Sequence, residues 1–206
     1  MRLGTMLGLT LAAAAFAAPA AADQNDRRCA GEDGATSEQK IAGCTAIIEA
    51  GKGSPHEIAV AYNLRGGQFY YKGEHLRAIA DYDQAIRLDP NYAHALNNRC
   101  WANAVVGRLD AGLADCTAAA RLSPDNGNVY ENRAFIHLKM GNYDRAMAHY
   151  DVAFKLEPES GDVLYGRGIA KVRKGDVAGG NADIAAGKKI KPWVVEEFGR
   201  YGIKAP

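Results

Sequence analysis

Cysteine is the residue type in this chain whose number and spacing offer covalent chemistry. The 206 residues include four cysteines: Cys29, Cys44, Cys100 and Cys116. An even number of cysteines is typical of a disulfide framework, and four cysteines allow three connectivities. We favour Cys29–Cys44 with Cys100–Cys116, because the intervals within these two pairs are nearly equal. Buried free thiols and a metal site are the alternatives, and the absence of a CxxC motif argues against a metal.

The sequence contains no residue pattern of a common enzyme class. The GxSxG, HExxH and Walker-loop motifs are missing. The five histidines are scattered over predicted helices and linkers without a matching nucleophile: His56, His75, His94, His137 and His149. We therefore expect no catalytic site, no metal and no cofactor. The formal net charge of +1 at pH 7 gives no reason to expect a nucleic-acid partner.

Four arginines recur at a constant interval of 34 residues, and we call them the arginine column: Arg65, Arg99, Arg133 and Arg167. An aspartate follows three of them at one shared interval: Asp81, Asp115 and Asp183. After Arg133 the equivalent position is His149, and Asp151 could stand in for the missing acid. We favour structural Arg–Asp pairing between two antiparallel helices. The alternative is a series of arginines that binds a carboxylate-bearing ligand.

The same period of 34 residues organises most of the chain. Four prolines recur at this interval: Pro90, Pro124, Pro158 and Pro192. Four glycines recur at the same interval: Gly73, Gly107, Gly141 and Gly175. Each unit contains two helical patterns, with the glycine between them and the proline near the end of the second. Such a period is typical of a solenoid of stacked helical hairpins. We assign four repeats within 59–192, by period 59–92, 93–126, 127–160 and 161–194.

The repeats place the second cysteine pair on one hairpin. Cys100 occupies the column of Gly168, where the two helices approach most closely, and Cys116 lies on the facing helix. This arrangement allows the short Cβ separation that a disulfide requires.

The last repeat contains two adjacent glycines in its second helix, Gly179 and Gly180. Each costs roughly 1 kcal/mol in a helix relative to alanine. We therefore expect this hairpin to be the least stable of the four.

The first residues have the pattern of a secretory signal. Arg2 supplies the positive end, an apolar stretch runs from Leu7 to Ala17, Pro19 breaks the helix, and small residues end at Ala22. We expect residues 1–22 to be a cleaved signal peptide. The mature protein would then be exported, to the periplasm or outside the cell, without stable membrane insertion. A membrane anchor is the alternative, but the apolar run is short.

Shorter segments flank the repeats on both sides. Residues 23–58 are expected to form a disulfide-tied helical hairpin and a linker, with residues 23–36 largely loose and Ser37 capping a helix that Gly51 ends. Residues 193–206 are expected to form a C-terminal capping helix and tail. Three apolar residues at helical spacing support this helix: Val194, Phe198 and Tyr201.

The first repeat carries a series of aromatic, small and proline residues: Tyr62, Gly66, Phe69, Ala78, Tyr82, Ala85 and Pro90. The third repeat carries a similar series: Tyr130, Ala134, His137, Ala146, Tyr150, Ala153 and Pro158. These positions resemble the tetratricopeptide repeat (TPR) family, and more narrowly exported bacterial proteins of that family. The resemblance implies an all-α fold. It would be a right-handed α-α superhelical solenoid of helical hairpins with a C-terminal capping helix.

The resemblance also implies a binding face, because the first helices of tetratricopeptide repeats line the concave side of the solenoid. Trp101, Phe135 and Ile169 would form an apolar row there, and neighbouring asparagine amides would suit an extended peptide. The predicted partner-binding residues are Asn63, Tyr70, Tyr71, Asn97, Asn98, Trp101, Glu131, Asn132, Phe135, Tyr165, Ile169 and Arg173. We therefore expect an exported scaffold that binds a protein or peptide partner through this concave face.

Two alternatives to a peptide groove remain open from the sequence. Trp101 and Phe135 could simply pack between adjacent helices. The protein could instead be an architectural subunit of an envelope complex that uses its convex side or its C-terminal helix. The sequence indicates neither the partner's identity nor the oligomeric state.

Overall fold

The computed structural model describes residues 18–205 of the chain. This part forms eleven α-helices and no strand, which confirms the predicted all-α class. The helices are α1 (Ala18–Ala30), α2 (Ser37–Ala50), α3 (Pro55–Tyr71), α4 (His75–Leu88), α5 (Ala93–Val105), α6 (Leu109–Leu122), α7 (Gly127–Lys139), α8 (Tyr143–Leu156), α9 (Gly161–Arg173), α10 (Val177–Ile190) and α11 (Val194–Arg200). The predicted signal-peptide residues before Ala18 lie outside the described part.

The leading hairpin consists of α1 and α2. The disulfide Cys29–Cys44 joins them, with the two Cα atoms 4.6 Å apart. The prediction that residues 23–36 are largely loose is wrong, because α1 runs through most of them and a 3-10 turn follows over Glu32–Gly34. The prediction that Pro19 breaks the helix before Ala20 is wrong, because α1 continues from Pro19 through Ala20 to Ala30.

Capping boxes fix the first turns of α2 and α3. Thr36, rather than the predicted Ser37, caps α2: its hydroxyl accepts from the Gln39 backbone, and the Gln39 side chain accepts from the Thr36 backbone. Ser54 makes the same exchange at the start of α3, with Pro55 in the first turn. Helix α3 therefore begins upstream of the first assigned repeat.

Helices α3 to α10 form four hairpins that stack in chain order. Each hairpin turns at a glycine with positive φ, between 75° and 99°: Gly73, Gly107, Gly141 and Gly175. The first helices of neighbouring hairpins also contact one another, α3 with α5, α5 with α7 and α7 with α9. The predicted solenoid of helical hairpins is confirmed.

The two helices of each hairpin meet closely at one column of small side chains. In the second hairpin this contact is the disulfide Cys100–Cys116, with Cα atoms 5.4 Å apart. In the fourth hairpin, a Cβ on Gly180 would lie 2.7 Å from the carbonyl oxygen of Gly168 and 2.9 Å from the backbone nitrogen of Val172. Gly180 is therefore costly for the helix but required by the packing.

A large apolar cluster occupies the C-terminal half of the solenoid. Buried Ile136, Tyr150 and Ile169 belong to it, together with Phe198 of α11. Helix α11 therefore shares a core with the hairpins that it follows. Within residues 18–205, no helix combines the length and the apolar character needed to cross a membrane.

Replacing Gly180 by alanine should destabilise the protein, although alanine is the better helix former. The new Cβ would meet backbone atoms of α9, so we expect a loss of about 1–3 kcal/mol in the free energy of unfolding. Gly67→Ala in α3 is the matched control, because a Cβ there meets no atom within 4 Å. The control should gain up to about 1 kcal/mol. Urea denaturation followed by circular dichroism measures both, and stabilisation by both variants would contradict the packing argument.

Removing the bridge in the second hairpin should lower stability without changing the fold. The chain-entropy model gives a loss of about 3 kcal/mol for Cys100→Ala/Cys116→Ala. Urea denaturation of the oxidised proteins measures it, and circular dichroism checks that helix content is retained. A double variant as stable as the wild type would show that this bridge does not constrain the unfolded chain.

Candidate functional site

Three members of the arginine column pair with an aspartate of their own hairpin: Arg65–Asp81, Arg99–Asp115 and Arg167–Asp183. In each pair the guanidinium Nε and Nη2 donate to the two carboxylate oxygens at 2.6–3.0 Å. Two parallel bonds between planar groups are the favoured arginine–carboxylate geometry. These three arginines therefore join the helices of their hairpins and are not available to a ligand.

Two of these arginines also bind an acid of the preceding hairpin. Asp83 accepts from Arg99 Nη1 at 2.7 Å, and Asp151 accepts from Arg167 Nη1 at 3.1 Å. The prediction that Asp151 stands in for the missing acid of Arg133 is therefore wrong, because its carboxylate reaches the following hairpin. The sequence reasoning missed this contact, although an acid precedes both arginines at the same interval.

Asparagines link the first helices of successive hairpins. Asn98 donates to Asn63 Oδ1 at 2.9 Å, and Asn132 donates to Asn97 Oδ1 at 3.0 Å. Asn63 is buried and also donates to the Tyr92 hydroxyl at 3.3 Å. Asn63 therefore joins helices and is not a free contact for a partner.

Helix α11 covers the C-terminal part of the predicted apolar row. Phe198 packs edge-on against Phe135 and Tyr165, with ring centroids 5.6 and 5.0 Å apart. Phe135, Tyr165 and Ile169 are each no more than 2% exposed. These three side chains are therefore largely enclosed by the chain itself, and Phe198 of α11 covers two of them, Phe135 and Tyr165.

Trp101 lies at the boundary between the covered and the open part of this face. Its ring centroid is 4.9 Å from that of Phe135 and 5.2 Å from that of Tyr201. Its indole N–H donates to the Tyr70 hydroxyl at 2.5 Å. Trp101 is only partly buried, so it both packs between helices and presents a surface.

An open cavity of about 670 Å³ lies beside Trp101. Eight predicted partner-binding residues line it: Tyr70, Tyr71, Asn97, Asn98, Trp101, Glu131, Asn132 and Phe135. The other predicted residues do not: Asn63, Tyr165, Ile169 and Arg173. Ten further lining residues were not among the predicted ones: Gly67, Tyr82, His94, Asn126, Asn128, Tyr150, Asp162, Glu197, Phe198 and Tyr201. Phe198 and Tyr201 could have been predicted, because they belong to the apolar stripe of α11 that the sequence shows.

The cavity is acidic where it approaches α11. Glu131, Asp162 and Glu197 line it there, and Lys191 Nζ lies 2.7 Å from Asp162 and 2.6 Å from Glu197. Loss of solvation, reinforced by the charge of Asp162, raises the pKa of Glu131 to about 7. Three carboxyl groups with one lysine suit a cationic ligand group. In the described part of the chain, no cluster of His, Cys, Asp and Glu could hold a metal ion.

Tyr150 lines this cavity, and its enclosed hydroxyl has no hydrogen-bond partner among the described residues. Burial raises the pKa of Tyr150 well above its usual value, so the group remains a neutral donor. A buried polar group without a partner is uncommon in folded proteins. Tyr150 therefore carries an enclosed hydrogen-bonding group, next to the cavity, that the described part of the chain does not satisfy.

Family models identify the repeat. One described as "TPR repeat" matches residues 66–100, and one described as "Tetratricopeptide repeat" matches residues 127–160. Together with the stacked hairpins, these matches define a helical-repeat scaffold. Residues 66–100 and 127–160 of the chain are therefore tetratricopeptide repeats. No curated protein matches its sequence.

Solved structures of MamA proteins share the fold. MamA of Desulfovibrio magneticus RS-1, from residue 41 to its end, has a TM-score of 0.70 at 15% identity, covering 84% of this chain and 96% of that one. Another crystal structure of MamA has a TM-score of 0.67 at 17% identity, covering 86% of this chain and 93% of that one. At these identities the similarity shows the fold alone.

Glu131→Gln should reduce the loss of stability that accompanies rising pH. The pKa of Glu131 is about 7 in the folded protein, against an ordinary value of 4.5. Its neutral form therefore favours the folded state, and this contribution declines between about pH 4.5 and pH 7. Between pH 5 and pH 8 the wild type should lose more stability than the variant, as measured by urea midpoints. Glu159→Gln removes an exposed carboxylate and should behave like the wild type. An equal loss in all three proteins would contradict the shifted pKa.

Proposed function

We propose that this protein is an exported scaffold that binds an extended segment of a partner protein in the cavity beside Trp101. The observation that carries the proposal is the lining of that cavity. Aromatic rings and asparagine amides from three successive first helices face one open space. A volume of about 670 Å³ lies within the range of ligand-binding pockets.

The lining indicates what kind of segment would fit. Asn97 and Asn132 can satisfy backbone N–H and C=O groups of an extended chain, while Tyr70 and Trp101 offer rings against which a side chain can pack. Glu131 lies toward the acidic end of the cavity, which favours a basic side chain or an amino terminus. The partner segment we propose is therefore extended, polar and cationic at one end.

Export is the part of the proposal that rests on the disulfides and the amino terminus. Two disulfides are typical of an oxidising compartment. A cleaved signal peptide over residues 1–22 would deliver the chain there, to the periplasm or outside the cell. The amino-terminal residue of the mature protein, determined by mass spectrometry, tests this part separately.

The alternative function is that of an architectural subunit that binds through α11. Trp193 and Val195 favour it, because they are 55% and 42% exposed at the start of this helix. In that case the outer side of α11 would carry the contact, and substitutions in the cavity would have no effect on assembly.

Site-specific photocrosslinking in the native compartment separates the two functions. Tyr71 lines the cavity and is 82% exposed. A photoreactive amino acid at this position should therefore form an adduct with a partner bound in the cavity. The same amino acid in place of Trp193 tests α11. Tandem mass spectrometry identifies the attached segment in each case.

The adduct at position 71 should depend on the cavity. Adding Trp101→Ala should reduce its yield by about tenfold, because removing a central aromatic contact typically costs more than 1 kcal/mol. Leu76→Ala is the matched control, since Leu76 is 63% exposed but does not line the cavity. It should leave the yield unchanged. Adducts only at position 193, or an adduct at position 71 that ignores Trp101→Ala, would overturn the cavity proposal.

A further inference from the structure

The third hairpin lacks both of the acids that hold Arg99 and Arg167, and also the aspartate that holds Arg65. In the second and fourth hairpins, each arginine binds one aspartate of its own hairpin and one of the preceding hairpin. At Arg133 the two equivalent positions are His149 and Thr117. No carboxylate in the described part of the chain forms an ion pair with Arg133, and its Nε is enclosed without a hydrogen-bond partner.

The surroundings of Arg133 are cationic and carry unused polar atoms. His149 stacks on His137, with ring centroids 5.4 Å apart and the planes inclined by 15°. Burial, together with the nearby charges of Arg133 and Arg145, lowers the pKa of both histidines, that of His149 to about 4. At neutral pH the positive charge therefore comes from the two arginines. Nδ1 of His137 also lacks a hydrogen-bond partner.

Thr117 does not replace the missing acid. Its hydroxyl donates to the Leu113 carbonyl at 2.7 Å, within its own helix. The Arg133 guanidinium has therefore lost part of its hydration on folding. Unlike the other three arginines of the column, it has gained no carboxylate partner in return. A partly buried cation in this state gains free energy from any anion that reaches it.

We propose that Arg133, opposite His149 in the third hairpin, forms a binding site for a carboxylate supplied from outside the chain. The chemical class follows from the other hairpins, where the same position of the fold places a guanidinium against carboxylate oxygens. Arg133 is partly exposed, so such a group can approach from the surface. The carboxylate could belong to a small molecule or to an acidic side chain of a bound protein. Arg133 does not line the cavity beside Trp101, so this site is independent of the proposed function.

The arginine Nε–Hε resonances in a ¹H–¹⁵N NMR spectrum provide the test. The Arg133 resonance is assigned by its disappearance in Arg133→Lys, and the Arg99 resonance is an internal reference whose carboxylates are already in place. Full-length mature protein is titrated with sodium acetate or with a short acetylated glutamate peptide, and sodium chloride keeps the ionic strength constant. We expect a saturable shift at Arg133 and none at Arg99.

His149→Asp is the decisive variant, because it restores the residue that three other hairpins carry and should fold. The new carboxylate should occupy Arg133, raise the urea midpoint and weaken the response to added carboxylate by about tenfold. Tighter binding of the peptide than of acetate would assign the site to an acidic protein segment, and equal binding would assign it to a small carboxylate. A wild-type Arg133 resonance that does not saturate, or an unchanged response in His149→Asp, would overturn the proposal.

Discussion

The close contact between the two helices of each hairpin is the constraint on which the rest of the structure depends. The second helix can lie flat against the first only where one side chain is very small or is bonded to its counterpart. The chain meets this condition with glycine at Gly168, with alanine at Ala134 and with a covalent bond at Cys100–Cys116. Because the position recurs in every repeat, the hairpins have similar shapes and can stack on one another.

Stacking leaves an unpartnered apolar face at the end of a solenoid, and α11 covers that face here. Phe198 and Tyr201 reach across the first helices of the last hairpins to Phe135 and Trp101. The concave side is thereby divided into a closed apolar part and an open polar part. A partner segment would meet the open part together with residues of α11, so the terminal helix contributes both to stability and to the shape of the candidate site.

The sequence predicted contacts within a hairpin much better than contacts between elements. The pairing of Arg99 with Asp115 follows from a fixed interval along two antiparallel helices, and the same holds for Cys100 with Cys116. By contrast, the contact between Asp151 and Arg167 of the next hairpin depends on how far one repeat is rotated relative to its neighbour. That rotation cannot be read from the spacing of residues in the sequence. The stripe on α11 was visible in the sequence, but the residues that it buries were not. For that reason the apolar row was predicted as a binding surface, and half of the cavity lining was missed.

Polar groups without partners are concentrated in the third hairpin. Among the described residues, four side chains have an enclosed polar atom without a hydrogen bond: His75, Arg133, His137 and Tyr150. The last three belong to the third hairpin. The carboxyl group of Glu131 lies in the same hairpin; it is partly buried and accepts from the Ser160 hydroxyl, and its raised pKa reflects poor solvation. Each such group costs stability, yet the hairpin is held on both sides by neighbours whose own arginines are fully paired.

A repeat in the middle of a solenoid can carry this cost because adjacent hairpins share the packing energy. Local departures from favourable pairing inside a well-packed frame are characteristic of functional sites, and both of the sites proposed for this protein involve this hairpin.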